Sequence, residues 1–279
     1  MPLDKSPAYL KNKQNEIKTI IDQCKPHVFG LSEANFKLNH DKEDVRIEDY
    51  EVYFSKTLNN SNLNISRIAV YVQTEISSKI RLDLMNDSFS SIWLELGLPR
   101  QKKILVCQVY RDWQFLDQSD HSSLSIESQL ARWIQFIDQW ETALLEGKEV
   151  IVLGDVNVDF LTWTNEFPAN SHDQKLKPLI NQIFDRIFPH GVSQCVSVPT
   201  RNWPGQEPSG LDHFYTNRPE KLSEVQAIYQ GGSDHKLIIA TRFSKAAIEK
   251  PRIIKKRVYK HFDPLTFIAA VRSLSWEDV

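Results

Sequence analysis

Four consecutive apolar residues, Val150, Ile151, Val152 and Leu153, run into Gly154 between two long stretches of helical periodicity. A short apolar run closed by glycine reads as a strand buried on both faces. Upstream, residues 125–145 place Leu130, Trp133, Ile137, Trp140 and Leu144 at three- and four-residue spacing. Downstream, residues 173–187 do the same with Leu176, Leu179, Ile180, Ile183 and Ile187. A buried strand alternating with amphipathic helices constrains the chain to an α/β class, with helices covering the sheet. Asp155 and Asn157 stand two apart just beyond that strand, so they project the same way at its carboxyl end, where open α/β sheets place ligands. The pair reads either as polar chemistry on a substrate or as an Asx-rich turn satisfying local backbone donors.

The 279 residues carry 34 basic and 36 acidic side chains, a net charge of −2. That balance leaves no global electrostatic footprint for nucleic acid, so phosphate binding has to be local or metal-assisted. Cys24, Cys107 and Cys195 are odd in number and far apart. This fits buried thiols in a reducing compartment rather than a disulfide framework or a zinc site. The start has no apolar signal region, and no run of eighteen apolar residues occurs, so a soluble intracellular protein without membrane contact is expected.

Other element ends also carry polar groups. An amphipathic helix over residues 10–24 precedes a short apolar strand, residues 27–31, which ends at Glu33. Strands are expected at 50–54, 65–72, 80–84, 91–96 and 104–110, the last delivering Tyr110 and Arg111 to its end. A strand at 192–198 leads to Pro199, Thr200 and Arg201. An extended segment at 211–215 carries Asp212, and Ser233, Asp234 and His235 precede a final strand at 237–243. Each has a plain alternative: Glu33 in solvent, Tyr110 as packing, His235 as a satisfied structural histidine. Past Ser244, seven basic residues fall within residues 245–260, followed by Asp263-Pro264 as cap and first turn of a helix. The expected organisation is a domain over residues 1–244 and a basic linker with the start of a helix over 245–279.

Taken in order, Leu31-Ser32-Glu33, Tyr110-Arg111, Gly154-Asp155-Val156-Asn157, Leu211-Asp212-His213-Phe214-Tyr215-Thr216-Asn217 and Ser233-Asp234-His235 resemble the motifs of the endonuclease/exonuclease/phosphatase family. Gln194-Cys195-Val196-Ser197-Val198-Pro199-Thr200-Arg201 is similar to a stretch in endonuclease domains of non-LTR retrotransposons. The segment from Arg257 to Trp276 resembles the link from such a domain to a reverse transcriptase. The resemblance implies a four-layered α/β sandwich, two packed mixed sheets flanked by helices. It further implies a hydrolase that nicks DNA, works within a longer polyprotein bearing a reverse transcriptase, and acts in the nucleus.

Phosphodiester hydrolysis needs an activated water, charge relief on the phosphoryl oxygens and help for the leaving alkoxide. Hard carboxylate oxygens suit Mg²⁺, with Mn²⁺ as a substitute. The resemblance makes Glu33 the primary metal ligand, with Asp234 beside the metal. It makes Asp155 the group that orients or deprotonates water, Asn157 a phosphate donor, and Asp212 the partner of His235. Tyr110, Thr200, Arg111 and Ser233 are implied to contact phosphate or DNA.

Members of that family open on a central strand bearing an asparagine that supports the metal-ligating acid, and residues 1–9 contain neither. A gap between core strands, an incomplete metal site and impaired activity are therefore expected. Three readings stay open: DNA endonuclease, phosphatase on a small phosphorylated substrate, and a catalytically dead, domesticated copy acting as a binding module.

Overall fold

A computed structural model describes residues 7–37, 45–55, 65–86, 88–99, 101–112, 125–163, 171–202, 204–229, 233–243 and 262–275. The chain divides into two compact units, Met1–Ser244 and Lys245–Val279.

In the first unit, α1 (Pro7–Cys24) leads into β1 (Val28–Lys37), followed by β2 (Tyr50–Phe54), β3 (Ile65–Gln73), β4 (Ser77–Ile80), β5 (Ser90–Gly97) and β6 (Ile104–Tyr110). Then come α2 (Ile126–Leu145), β7 (Glu149–Asp155), α3 (Ser171–Gln182), β8 (Ser193–Gln194), β9 (Asp212–Thr216), β10 (Gln226–Ile228) and β11 (Leu237–Ile239). Three hydrogen-bonded sheets result among the described residues, with strand orders β1-β3-β2, β10-β11 and β4-β5-β6-β7-β9-β8. The six-stranded sheet is mixed, since β6 and β7 run parallel and its other pairs antiparallel. The α/β class with helix-flanked sheets expected from sequence is the class observed.

Hydrophobic alternation explains the layering. β3 sends Ile68, Val70 and Val72 into the main core and Ala69 and Tyr71 into a smaller cluster with Ile21 of α1 and Phe29 of β1. Strand side chains alternate by two, so β3 lies between α1 and the six-stranded sheet. On the far side, α2 buries Trp133, Phe136, Ile137, Trp140 and Leu144, and Trp133 Nε1 donates to Leu179 O of α3 at 3.0 Å. Ser125 caps α2, its hydroxyl accepting from Ser128 N at 3.1 Å. The order is helix, sheet, sheet, helix.

β11 follows the same alternation as β3: Leu237 packs on the small cluster, Ile238 and Ala240 on the main core. It therefore lies in the layer of β1 and β3, yet among the described residues it pairs only with β10, and β1 pairs only with β3. One expected sheet is thus present as two, with an unpaired edge on each.

Several boundaries differ from the sequence reading. Residues 82–84 form a 3₁₀ turn rather than a strand, because Leu84 N and Met85 N bond back to Arg81 O and Leu82 O. β8 stops after two residues because the Gln194 side chain bonds both Val196 N and Val196 O, locally replacing the ladder. Cys107 is buried, Cys195 half-buried and Cys24 exposed, so the expectation of buried thiols holds in full only for Cys107, the one Cys in the central sheet. No described helix is long and apolar enough to cross a membrane.

In the second unit, α4 (Pro264–Arg272) is capped by Asp263, whose carboxylate accepts from Leu265 N and Thr266 N at 3.0 and 3.3 Å. The basic run over residues 245–260 and the Gly231-Gly232 pair lie outside the described residues.

Candidate active site

Ladder register sets the frame. Tyr110 on β6 is paired with Asp155 on β7, and Asp155 with Asp212 on β9. Directly opposed strand residues share a face, so the three side chains form one row across the ends of adjacent strands. Gly154 makes that row possible. Its φ is 139°, and a Cβ there would lie 1.9 Å from Val109 O, so no side chain fits between β6 and β7 at that level.

Asp155 is buried, and its Oδ1 accepts from Asn157 N at 2.9 Å. Burial first, and the neighbouring Asp212 second, push its pKa up to about 7. Asn157 holds a φ of 52°, uncommon outside glycine, and its Nδ2 donates to Arg111 O at 3.0 Å. The Asx-turn bond anticipated as the plain reading is thus real, and it fixes the conformation in which Asp155 meets its neighbours.

Asp212 Oδ2 accepts from His235 Nδ1 at 2.8 Å. Burial would lower the pKa of His235, but the hydrogen bond and charge of Asp212 outweigh it and raise it to about 9. The imidazole is therefore cationic at neutral pH, with Nδ1 taken by Asp212. Donor atoms of Asp155, Asp212 and His235 all lie within 4.8 Å of one another, the one such group of three found among the described residues.

Glu33 sits where the β1–β3 register shifts, between Ser32 and Phe36, with a φ of 54°. This bulge turns the side chain outward, leaving it 58% exposed. The Tyr110 hydroxyl donates to Glu33 Oε1 and accepts from Arg67 Nη2 at 2.9 Å. Positive φ at both Glu33 and Asn157 places backbone strain at the residues bonded to Tyr110 and Asp155 of the row.

The structure separates some residues that the resemblance grouped. Arg111, expected at phosphate, is buried beneath the loop, donating to Val156 O, Asn157 O and Gln129 Oε1. A guanidinium can satisfy three buried carbonyls at once, and these fix the Asp155–Asn157 turn. Thr200, also expected at phosphate, is fully buried, and its Oγ1 accepts from Leu211 N and Asp212 N, both at 3.0 Å. Asp234 pairs with Arg201 Nε at 2.7 Å instead of joining the acidic group. Ser233 Oγ accepts from His235 N at 3.1 Å, a local turn bond. Arg67 and Asp112 were not singled out from sequence. Their only signal is an arginine inside the apolar strand run and an acid directly after Tyr110-Arg111.

The model of the Endonuclease/Exonuclease/phosphatase family matches residues 4–235. The chain belongs to that family. A search of curated proteins by sequence gives no match. Among solved structures, the endonuclease domain of TRAS1, a telomere-specific non-LTR retrotransposon, superposes with a TM-score of 0.57 at 13% identity, covering 84% of this chain and 93% of that one. The 3′ phosphatase NExo from Neisseria, bound to product DNA hairpin, gives 0.56 at 12%, covering 84% and 96%. An AP endonuclease from Archaeoglobus fulgidus gives 0.52 at 12%, covering 84% and 95%. At such identities these likenesses establish the fold; the family is a metal-dependent phosphoesterase family, and its hydrolase character applies to this chain at that level.

Glu33 at the rim, with the buried Asp155 behind it, suits a hard divalent cation. Glu33 is largely exposed, and Asp155 lies close enough for the two charges to interact, so waters can complete a coordination shell. The Asp155–Asp212–His235 group satisfies ligand spacing as well, but His235 is engaged by Asp212 and protonated, which disfavours it as a ligand.

Proposed function

We propose that this chain is a divalent-metal-dependent endonuclease that nicks DNA, of the kind found in non-LTR retrotransposons. The observation that carries the reading is the row Tyr110–Asp155–Asp212, closed by His235 and faced by Glu33. Asp155, with a pKa near 7, is basic enough to take a proton from an attacking water at neutral pH. His235, held protonated by Asp212, offers a cation to the phosphoryl oxygens and a proton to the leaving alkoxide. The second Nδ2 hydrogen of Asn157 is available to a phosphate oxygen, adding no negative charge. Glu33 would hold Mg²⁺, with Mn²⁺ able to replace it. The cation supplies charge relief on the phosphoryl group and lowers the pKa of water.

In this reading the substrate is nuclear DNA, and a reverse transcriptase region acts on the exposed 3′-hydroxyl. The rate is low in this reading, because among the described residues β1 pairs only with β3 and β11 only with β10, which leaves the Glu33 bulge held from one side. The distinguishing experiment offers supercoiled plasmid and inositol phosphates to the same purified chain with Mg²⁺ or Mn²⁺. Conversion of supercoiled to open-circular DNA without phosphate release supports the endonuclease. Phosphate release without nicking replaces it with a phosphatase, and binding of DNA without either reaction replaces it with a binding module.

A further inference from the structure

The ionic cluster behind Glu33 has a direction. Ser90 Oγ donates to Asp112 Oδ2 at 2.9 Å, and Arg67 Nε donates to Asp112 Oδ1 at 2.9 Å. Arg67 Nη2 donates to the Tyr110 hydroxyl, which donates in turn to Glu33. An arginine carries only donors, so the phenol oxygen must accept from it, and the phenol hydrogen is then committed to the carboxylate. The Arg67 guanidinium carbon also lies 4.7 Å from the centre of the Tyr110 ring, and Nη2 lies 3.7 Å from Glu33 Oε1. The chain of bonds runs from buried Ser90 and Asp112 through a side chain only 14% exposed to an acid at the rim that is 58% exposed. Glu33 has little support from its own strand, because β1 is bulged there and, among the described residues, pairs only with β3. Among the described residues, the bonds to its carboxylate come from Tyr110 and, at longer range, Arg67.

We propose that Arg67, anchored by Asp112, is the positioning residue that orients Tyr110 and presents the Glu33 carboxylate to a divalent cation. This rests on Glu33 being the metal-holding acid of the proposed nuclease. Through Tyr110, Arg67 holds Glu33 Oε1 in a hydrogen bond while the side chain stays 58% exposed, so the cation meets an ordered carboxylate instead of a freely rotating one. Lysine is not equivalent: its single ammonium has to choose between Asp112 and Tyr110, whereas the guanidinium spans both.

The test is Mn²⁺ binding to the full chain, read by electron paramagnetic resonance, together with nicking kinetics. Replacing Arg67 alone would leave Asp112 as an uncompensated buried charge, so the informative variant is Arg67→Met combined with Asp112→Asn, which removes both charges together. The expected result is a cooperatively melting protein that binds Mn²⁺ about 10-fold more weakly and nicks about 10- to 100-fold more slowly, with KM for DNA unchanged. Arg67→Lys is expected to lose Mn²⁺ affinity in the same direction. Glu33→Gln serves as the reference for the parent reading. If Glu33→Gln weakens Mn²⁺ binding while the Arg67 variants bind as the parent does, the positioning role is overturned and the nuclease reading stands. If Glu33→Gln itself leaves Mn²⁺ binding unchanged, Glu33 is not the metal-holding acid, and both fall.

Discussion

His235 Nδ1 lies 2.8 Å from Asp212 Oδ2, a bond that joins the last motif of the chain to the strand beside Asp155. It sets the charge of His235. Replacing Asp212 by Asn removes the largest influence that raises the pKa, leaving burial opposed only by the charges of Asp155 and Asp234, so the pKa falls. In the metal-free chain the His235 ring signals should titrate with a midpoint near pH 9, and at a clearly lower pH in Asp212→Asn. The linked stability has a definite sign. Because the folded pKa is raised, the pair's contribution is fully present below about pH 6.5 and is lost as pH rises through about 9.

His213 behaves in the opposite way. It is buried, with Nδ1 against Tyr215 OH at 2.6 Å and Nε2 against Val158 O at 2.7 Å, and burial lowers its pKa to about 4. Its neutral form contributes stability that is full above about pH 6.5 and lost as pH falls through about 4, amounting to about 3 kcal/mol. Melting temperatures measured across that window should fall more steeply for the parent than for His213→Gln. Equal slopes would show that His213 is not the group responsible.

Thr200→Val is nearly isosteric and removes the acceptor for Leu211 N and Asp212 N. Each buried donor left unsatisfied costs about 1–3 kcal/mol. Denaturant unfolding should show a loss of about 2–6 kcal/mol for the two donors together, with slower nicking because Asp212 loses its backbone anchor. Had Thr200 contacted DNA, stability would stay unchanged and KM for DNA would rise instead.

Gly154→Ala brings a Cβ to within 1.9 Å of Val109 O at a φ of 139°. No flexible side chain is available to move, so the ends of β6 and β7 have to separate. The expected outcome is a destabilisation of several kcal/mol or failure to fold, seen as loss of cooperative melting.

The central sheet was legible because its information is local and continuous. The apolar run 150–153 between two helical patterns admitted one arrangement, and β7 occupies it between α2 and α3. Four of the five polar clusters were legible because they lie at element ends, and Tyr110, Asp155 and Asp212 indeed share a row, whereas Glu33, expected just past a strand over 27–31, stands at a bulge inside β1. Depth was not legible. Arg111 and Thr200 follow strand ends just as Tyr110 does, yet they turn inward to satisfy backbone groups, and nothing in a linear pattern says how many orphaned carbonyls or amides a neighbouring loop will present. Arg67 was hidden for a related reason. Its partners lie 43 and 45 residues away, and only the β3–β6 packing brings them together.

Edge exposure gives a test of the split layer. Hydrogen exchange should be faster in β1 and β11, each paired on one side among the described residues, than in β6 and β7, each paired on both. Equal protection would mean that the free edges are covered.

The most direct measurement compares nicking of supercoiled plasmid by the parent chain, Asp155→Asn and His235→Ala, each with Mg²⁺ and with chelator. Slow Mg²⁺-dependent nicking by the parent is expected, abolished by chelator and reduced at least about 100-fold in both variants. Nicking that survives His235→Ala, or no nicking by the parent at any metal concentration, would contradict the proposed function.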